Sequence, residues 1–211
     1  MDASNISLEA EELFGLLEAR AVPYLLVGGL AMLTHVRGRN TDDVDLIIAV
    51  PDQQRLEPEV VLVEPREKGS PFAMGGYKQL RVDYLDARAP IFQRVLRRHG
   101  ERRRFLFGSG QGRELPVATA AGLMLLKLHA LPHVTRQMDW ERVNAYENDM
   151  LMLWMADEQL APGKMLAELK PFVDEAGMCS LEHGVLPAVT QRRERMLATA
   201  ARLREVLPPP K

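Results

Sequence analysis

Four residues in one short segment carry the chemistry this chain is best equipped to do. Residues 24–48 read YLLVGGLAMLTHVRGRNTDDVDLII: a glycine pair, Gly28 and Gly29, ends one apolar run, and Asp43-x-Asp45 opens the next. Side chains alternate between the faces of a strand, so Asp43 and Asp45 point one way and Val44 and Leu46 the other. Two carboxylates on one face repel each other unless a cation lies between them, and hard oxygen ligands suit Mg²⁺ or Mn²⁺. Gly28 and Gly29 have no Cβ, so their N–H groups can come close to a phosphate. A helix read over residues 30–35 turns its positive end to the same place. The segment thus offers an anion cradle and a metal clamp, the parts needed to hold a triphosphate and its metal ions. Apolar Val44, Leu46, Ile47 and Ile48 argue for an interior strand over an edge strand with solvated acids.

The loop between the glycines and the acids adds polar groups. A guanidinium at Arg39 can pair with phosphate or brace the carboxylates, while Arg37 reads as its solvated neighbour. Thr41 can fix the loop by bonding backbone ahead of Asp43. Asp42 falls on the opposite face and is left out of the site. His35 ends the helix, where a histidine is either near the ligand or, more commonly, a packed or capping group.

Further along, Lys127 interrupts GLMLLKLHAL, a helix that is apolar on nearly every side. Such a lysine snorkels to water, joins an ion pair or meets an anion, because an unpaired buried charge is costly. The run Arg94, Arg97, Arg98, Arg102, Arg103 and Arg104, diluted by Glu101, can grip a polyanion or simply be solvated. A second set, Arg192, Arg193, Arg195, Arg202 and Arg204, is offset by Glu194 and Glu205 and fits a domain or subunit contact. Met150, Met152, Trp154 and Met155 read as filling between helices.

The elements that must position these groups can be read in outline. Ser7 can cap a helix over residues 8–21 that Pro23 ends. Strands follow over 24–27, 44–50 and 59–63. Gly75-Gly76 signals a turn before an alternating segment, 77–85, in which Leu80, Val82 and Tyr84 oppose Arg81, Asp83 and Leu85. An amphipathic helix over 91–99 precedes two short strands, 105–107 and 114–117, and from Thr119 the pattern is helical. A boundary is expected near Pro116, giving an α/β core at 1–117 and a helical part at 118–211.

Composition sets the bounds. A chain of 211 residues, 46% hydrophobic and with a net charge of −2, can bury a core and is not a general nucleic-acid coat. No apolar run reaches membrane-spanning length, and the acidic start (Asp2, Glu9, Glu11, Glu12) lacks the form of a signal peptide, so the cytoplasm is the expected address. Cys179 is the only cysteine, which excludes an intrachain disulfide and a zinc cluster.

On Gly28, Gly29, Asp43 and Asp45, in that order, the chain resembles the nucleotidyltransferase superfamily that shares its fold with DNA polymerase β. The fuller string with His35, Arg39, Thr41 and Asp43-Val-Asp45-Leu46 is most similar to abortive-infection nucleotidyltransferase toxins and small stand-alone transferases. The match lies mainly in the first half. It implies a small mixed β-sheet flanked by helices, an α/β (α+β) fold, followed by a helical C-terminal region. It also implies a third carboxylate on a neighbouring strand, for which Asp83 in Val82-Asp83-Tyr84 is the best placed and Asp86 the competitor. Lys127 would then touch the nucleotide phosphates. Arg136 with Asp139 or Asp149 resembles, loosely, a basic-then-acidic pattern that brings an acid toward the site, and both acids also suit surface or capping roles.

The activity so implied is Mg²⁺-dependent (or Mn²⁺-dependent) transfer of a nucleoside monophosphate from a nucleoside triphosphate to an acceptor hydroxyl. Asp43, Asp45 and Asp83 would be the metal ligands and catalytic acids, and Gly28, Gly29, Arg39 and Lys127 the nucleotide contacts. By the same resemblance tRNA or another RNA leads as acceptor, ahead of an aminoglycoside-type compound, and an antitoxin protein is an implied partner. A catalytically silent nucleotide-binding module and a metal-dependent phosphohydrolase use the same residues and stay open.

Overall fold

The computed structural model describes residues 3–37, 41, 43–63, 70–110 and 112–206. Arg39 and Asp42 lie outside the described residues. In chain order the elements are α1 (Ala3–Ala19), β1 (Tyr24–Val27), α2 (Gly28–Met32), β2 (Asp43–Ile48), α3 (Val50–Gln53), β3 (Val60–Val63), β4 (Phe72–Tyr77), β5 (Leu80–Asp86), α4 (Pro90–Arg98), β6 (Gly100–Leu106) and β7 (Gly112–Ala118). The helices α5 (Ala120–Arg136), α6 (Trp140–Ala156), α7 (Pro162–Leu169), α8 (Glu175–Ser180) and α9 (Leu186–Val206) follow. The chain divides into two compact units, Met1–Leu126 and Lys127–Lys211. No helix among the described residues is long and apolar enough to cross a membrane.

The first unit is built on a seven-stranded mixed sheet in the order β3-β4-β5-β2-β1-β7-β6. The pairs β2/β5 and β1/β7 are parallel and the other neighbours antiparallel. Strand β2 therefore sits near the middle, as its run Leu46, Ile47, Ile48, all fully buried, requires. One face is covered by α1, whose Leu13, Phe14 and Leu17 are completely buried. The Phe14 ring stacks 5.8 Å from that of Tyr24. Tyr24 pairs with Ile48 and Leu26 with Leu46, and Leu46 pairs in turn with Tyr84, so these residues share the α1 face. The alternate residues, Asp43, Asp45, Arg81 and Asp83 among them, belong to the other face. Helix α4 packs on that face, where Phe92 meets Phe72 edge-on at 5.3 Å. Pro90 opens α4 at a position that needs no N–H partner, and Ile91, Phe92 and Val95 form its buried side.

Several local expectations are corrected. The Gly75-Gly76 pair is no turn: both residues lie inside β4, opposite Val82 and Arg81. A Cβ on Gly75 would lie 2.8 Å from both the Tyr84 ring and the Val61 carbonyl oxygen, so the glycine makes room for a large buried ring. The hairpin turns at Lys78 and Gln79 instead, with Lys78 in the left-handed region at φ 55°. Ser7 does not start α1, which already runs from Ala3, and its hydroxyl accepts the Gly108 N–H at 2.8 Å, binding the helix to the β6–β7 turn. Strand β6 starts at Gly100 and includes the charged run Glu101 to Arg104. That run lacks alternation because β6 is the sheet's edge and most of its side chains meet solvent.

The second unit is helical. Asp139 caps α6 by accepting the Arg142 N–H at 3.1 Å. Arg193 lies over the Trp154 ring, 4.6 Å from its centroid, and bonds Glu158 at 3.1 Å. Arg192 sits 3.6 Å from Glu147, so two of the C-terminal arginines serve contacts within this unit. Met150 is buried, as helix filling requires.

Candidate active site

Backbone register assembles the acid-bearing face. In the parallel pair β2/β5, Asp43 lies beside Arg81 and Asp45 beside Asp83. In the antiparallel pair β1/β2, Asp45 is also opposite Val27, the residue before the glycine pair. Two carboxylates from β2 and one from β5 thus share a face next to the turn from β1 into α2. The two strands bring them together from distant parts of the chain. Asp86, three residues beyond Asp83, ends β5 on the other face and is held by the Arg88 guanidinium at 2.7–3.1 Å.

The glycine pair is shaped by this face. Helix α2 starts at Gly28 and ends at Met32, earlier and shorter than residues 30–35, so both glycines belong to its first turn. Gly28 has φ +64°, and a Cβ there would lie 1.7 Å from Oδ2 of Asp45. A Cβ on Gly29 would lie 2.5 Å from Oγ1 of Thr41. The pair is required for the approach of Asp45 and Thr41, a demand independent of any phosphate. Thr41 in turn donates its hydroxyl proton to Oδ1 of Asp43 at 2.7 Å, bonding the carboxylate as well as the backbone. His35 is a packed residue: its side chain is 8% exposed and Nε2 lies 3.0 Å from the Ala118 carbonyl oxygen, tying the end of α2 to β7.

Arg81 was not singled out from sequence. Its Nη2 donates to Oδ2 of Asp43 at 3.1 Å and to Oδ2 of Asp83 at 2.7 Å, and Nε reaches Oδ1 of Asp83 at 3.3 Å. The hydrogen bonds to Asp83, with the charges of Asp83, Asp43 and Asp45 behind them, push its pKa above the usual arginine range. A sequence signal existed. Arg81 is two residues before Asp83 in an alternating strand, so the two must share a face.

The donor set fits a hard divalent cation in kind and register: three carboxylates on adjacent strands, with oxygen ligands of the type Mg²⁺ takes. Among the described residues, Arg81 brings a positive charge to these acids. Among the described residues no three acidic, histidine or cysteine side chains yet converge on one point as a metal would require.

Lys127 belongs to the second unit. Its Nζ lies 2.9 Å from Oδ2 of Asp149 and 4.3 Å from the Tyr146 ring centroid, and both charged side chains are buried. Asp149, one of the two acids left open, is therefore the buried partner of the out-of-place lysine, whereas Asp139 is a helix cap. Tyr146 and Asp149 are three residues apart on α6, which puts them on one helical face.

No protein-family model matches the chain, and no curated protein matches its sequence. Solved structures do. The solution structure of the antibiotic-resistance factor ANT(2'')-Ia is similar over 87% of this chain and 97% of its own, with a TM-score of 0.55 at 17% identity. Its crystal structure in complex with adenylyl-2''-tobramycin is similar over 81% of this chain and 97% of its own, with a TM-score of 0.50 at 14% identity. An antigenic nucleotidyltransferase-like protein from Paracoccidioides brasiliensis reaches a TM-score of 0.44 at 14% identity, over 84% of this chain and 98% of its own. The likeness to ANT(2'')-Ia identifies the fold: the chain shares with that antibiotic-resistance factor a mixed sheet flanked by helices and followed by a helical C-terminal region.

Proposed function

We propose that this protein is a Mg²⁺-dependent nucleotidyltransferase that moves a nucleoside monophosphate from a nucleoside triphosphate to an acceptor hydroxyl. The observation that carries the reading is the register that sets Asp83 beside Asp45, on the face where Gly28 lets the Asp45 carboxylate approach. Asp43, Asp45 and Asp83 would hold the metal. When bound, Mg²⁺ supplies charge neutralisation at the phosphates and eases loss of the acceptor proton.

The residues' own work is alignment. The acceptor oxygen attacks the α-phosphorus, the bond to the bridging oxygen breaks and pyrophosphate leaves. Asp83 is assigned to the nucleophile side, where a carboxylate draws off the hydroxyl proton. The first-turn N–H groups at Gly28 and Gly29 are assigned to the triphosphate. Arg39 is assigned to the phosphates from the loop. Lys127 is assigned there as well, with Asp149 fixing its ammonium group. The proposed domains are a catalytic core at 1–117 and an acceptor-selecting helical part at 118–211.

For the acceptor, an RNA, with a tRNA end leading, follows from the family resemblance, and exposed Arg102 and Arg104 on one face of the edge strand offer a polyanion two cations. A small polyhydroxylated compound of the aminoglycoside kind is the second reading, favoured by a fold likeness that spans nearly the whole of ANT(2'')-Ia. One experiment separates them. The protein is incubated with each α-labelled nucleoside triphosphate and Mg²⁺, with a tRNA pool in one arm and tobramycin in the other. Label on either acceptor, lost in Asp43→Asn, supports the transferase and identifies the acceptor class. Free monophosphate with no labelled acceptor points to a phosphohydrolase. Neither product, together with no triphosphate binding, sinks the enzymatic reading.

A further inference from the structure

The guanidinium of Arg81 lies among three carboxylates that share one face of the sheet. It is shared between Oδ2 of Asp43 and both oxygens of Asp83, and it lies within electrostatic reach of Asp45. A divalent cation bound by the same carboxylates must take oxygen lone pairs that Arg81 now occupies, and it must do so beside a fixed positive charge. Both terms oppose a bare metal ion.

The hold is nevertheless light. The Arg81 side chain is 53% exposed, so it has open solvent to turn into, and exposed ion pairs are weak. A guanidinium also matches phosphate oxygens in the same two-pronged way that it matches a carboxylate. A triphosphate arriving with its metal ion therefore offers Arg81 a new partner at the moment it loses the old ones.

We propose that Arg81 is a built-in counter-cation that makes metal loading conditional on the nucleotide: the nucleotide-free site disfavours a bare divalent cation, and the metal enters with the triphosphate as Arg81 transfers from carboxylate to phosphate. Arg81 is thus a positioning residue for the three acids. The inference rests on the assignment of Asp43, Asp45 and Asp83 as metal ligands in the proposed function.

Binding of Mn²⁺, followed by the electron paramagnetic resonance of the free ion, tests this without turnover. It is measured with and without a triphosphate whose α,β-bridge is methylene, on wild type, Arg81→Gln and Arg81→Lys. In wild type the expected result is weak Mn²⁺ uptake alone and much tighter uptake with the triphosphate. Arg81→Gln is expected to tighten nucleotide-free uptake about tenfold and to shrink the gain from the triphosphate, while Arg81→Lys, which keeps the charge, stays near wild type. If Mn²⁺ binds wild type with the triphosphate but Arg81→Gln leaves nucleotide-free uptake unchanged or weaker, this inference is overturned and the transferase reading stands. If no form takes up Mn²⁺ under either condition, both fall.

Discussion

Gly28 and Asp45 occupy each other's space: the volume where any other residue at position 28 would carry its Cβ is filled by the Asp45 carboxylate, 1.7 Å from that point. The glycine is a steric condition for the acid.

Gly28→Ala should therefore be costly on two counts. The backbone at φ +64° is unfavourable for alanine, and the Asp45 carboxylate must move aside. The expected loss is about 2–4 kcal/mol in urea unfolding, together with loss of triphosphate binding. An alanine variant with wild-type stability and binding would show that the contact is not maintained in solution.

Removing one charge from the acid face should act on rate more than on folding. Asp45→Asn and Asp83→Asn preserve shape and are expected to lower turnover about 100-fold or more, since metal-held charge stabilisation is worth several kcal/mol. Their thermal unfolding should stay near wild type, because both side chains are only partly buried. Single-turnover assays beside melting curves decide the matter, and a variant that turns over normally removes its residue from the site.

The Lys127–Asp149 pair predicts a stability cycle. Lys127→Met leaves a buried carboxylate without its cation, and Asp149→Leu leaves the reverse, each expected to cost about 3–5 kcal/mol. The double variant should recover most of that loss, because no buried charge then remains. If the singles unfold like wild type, the pair is not buried in solution. If the double variant is stable but binds triphosphate poorly, the lysine also serves the nucleotide.

His129 gives a pH dependence with a defined sign. Burial, assisted by the charge of His133, pushes its pKa below the usual 6.5, against a raising hydrogen bond with the Phe172 backbone. The folded state then binds fewer protons than the unfolded state as pH falls below about 6.5, so stability contributed by neutral His129 is complete above that value and drains away with acidification. Unfolding free energies from pH 7.5 to 5 should fall, with a shallower slope in His129→Gln. An identical slope in that variant would assign the acid sensitivity elsewhere.

Strong, local patterns were legible in the sequence. Apolar Leu46, Ile47 and Ile48 identified an interior strand, and the alternation from Leu80 to Leu85 identified β5 and the face of Asp83. Residues whose meaning depends on a distant neighbour were not legible. Gly75 looks like a turn until the Tyr84 ring is seen beside it, and nothing in the spacing of Gly28 and Gly29 shows that Asp45 and Thr41 also need them to lack a Cβ. The run Glu101 to Arg104 hides a strand, because an edge strand has no solvent-free face to enforce alternation. The partner of Lys127 lies on another helix, and spacing alone left Asp139 and Asp149 equivalent. Arg81 could have been found by parity, but its bond to Asp43 needed the β2/β5 register.

The pairing of β2 with β5 also bears on how the chain reaches its native state. Asp43 and Arg81 are 38 residues apart in sequence, and the strands that carry them run parallel, so β3 and β4 are traversed before they can align. Contacts of such long separation incur loop-closure entropy before they return any stability, and they slow folding. Asp83 shares a strand with Arg81 and meets it locally, whereas Asp43 meets Arg81 only when β2 has paired with β5, which makes the Asp43–Arg81 bond a natural reporter on completion of the sheet.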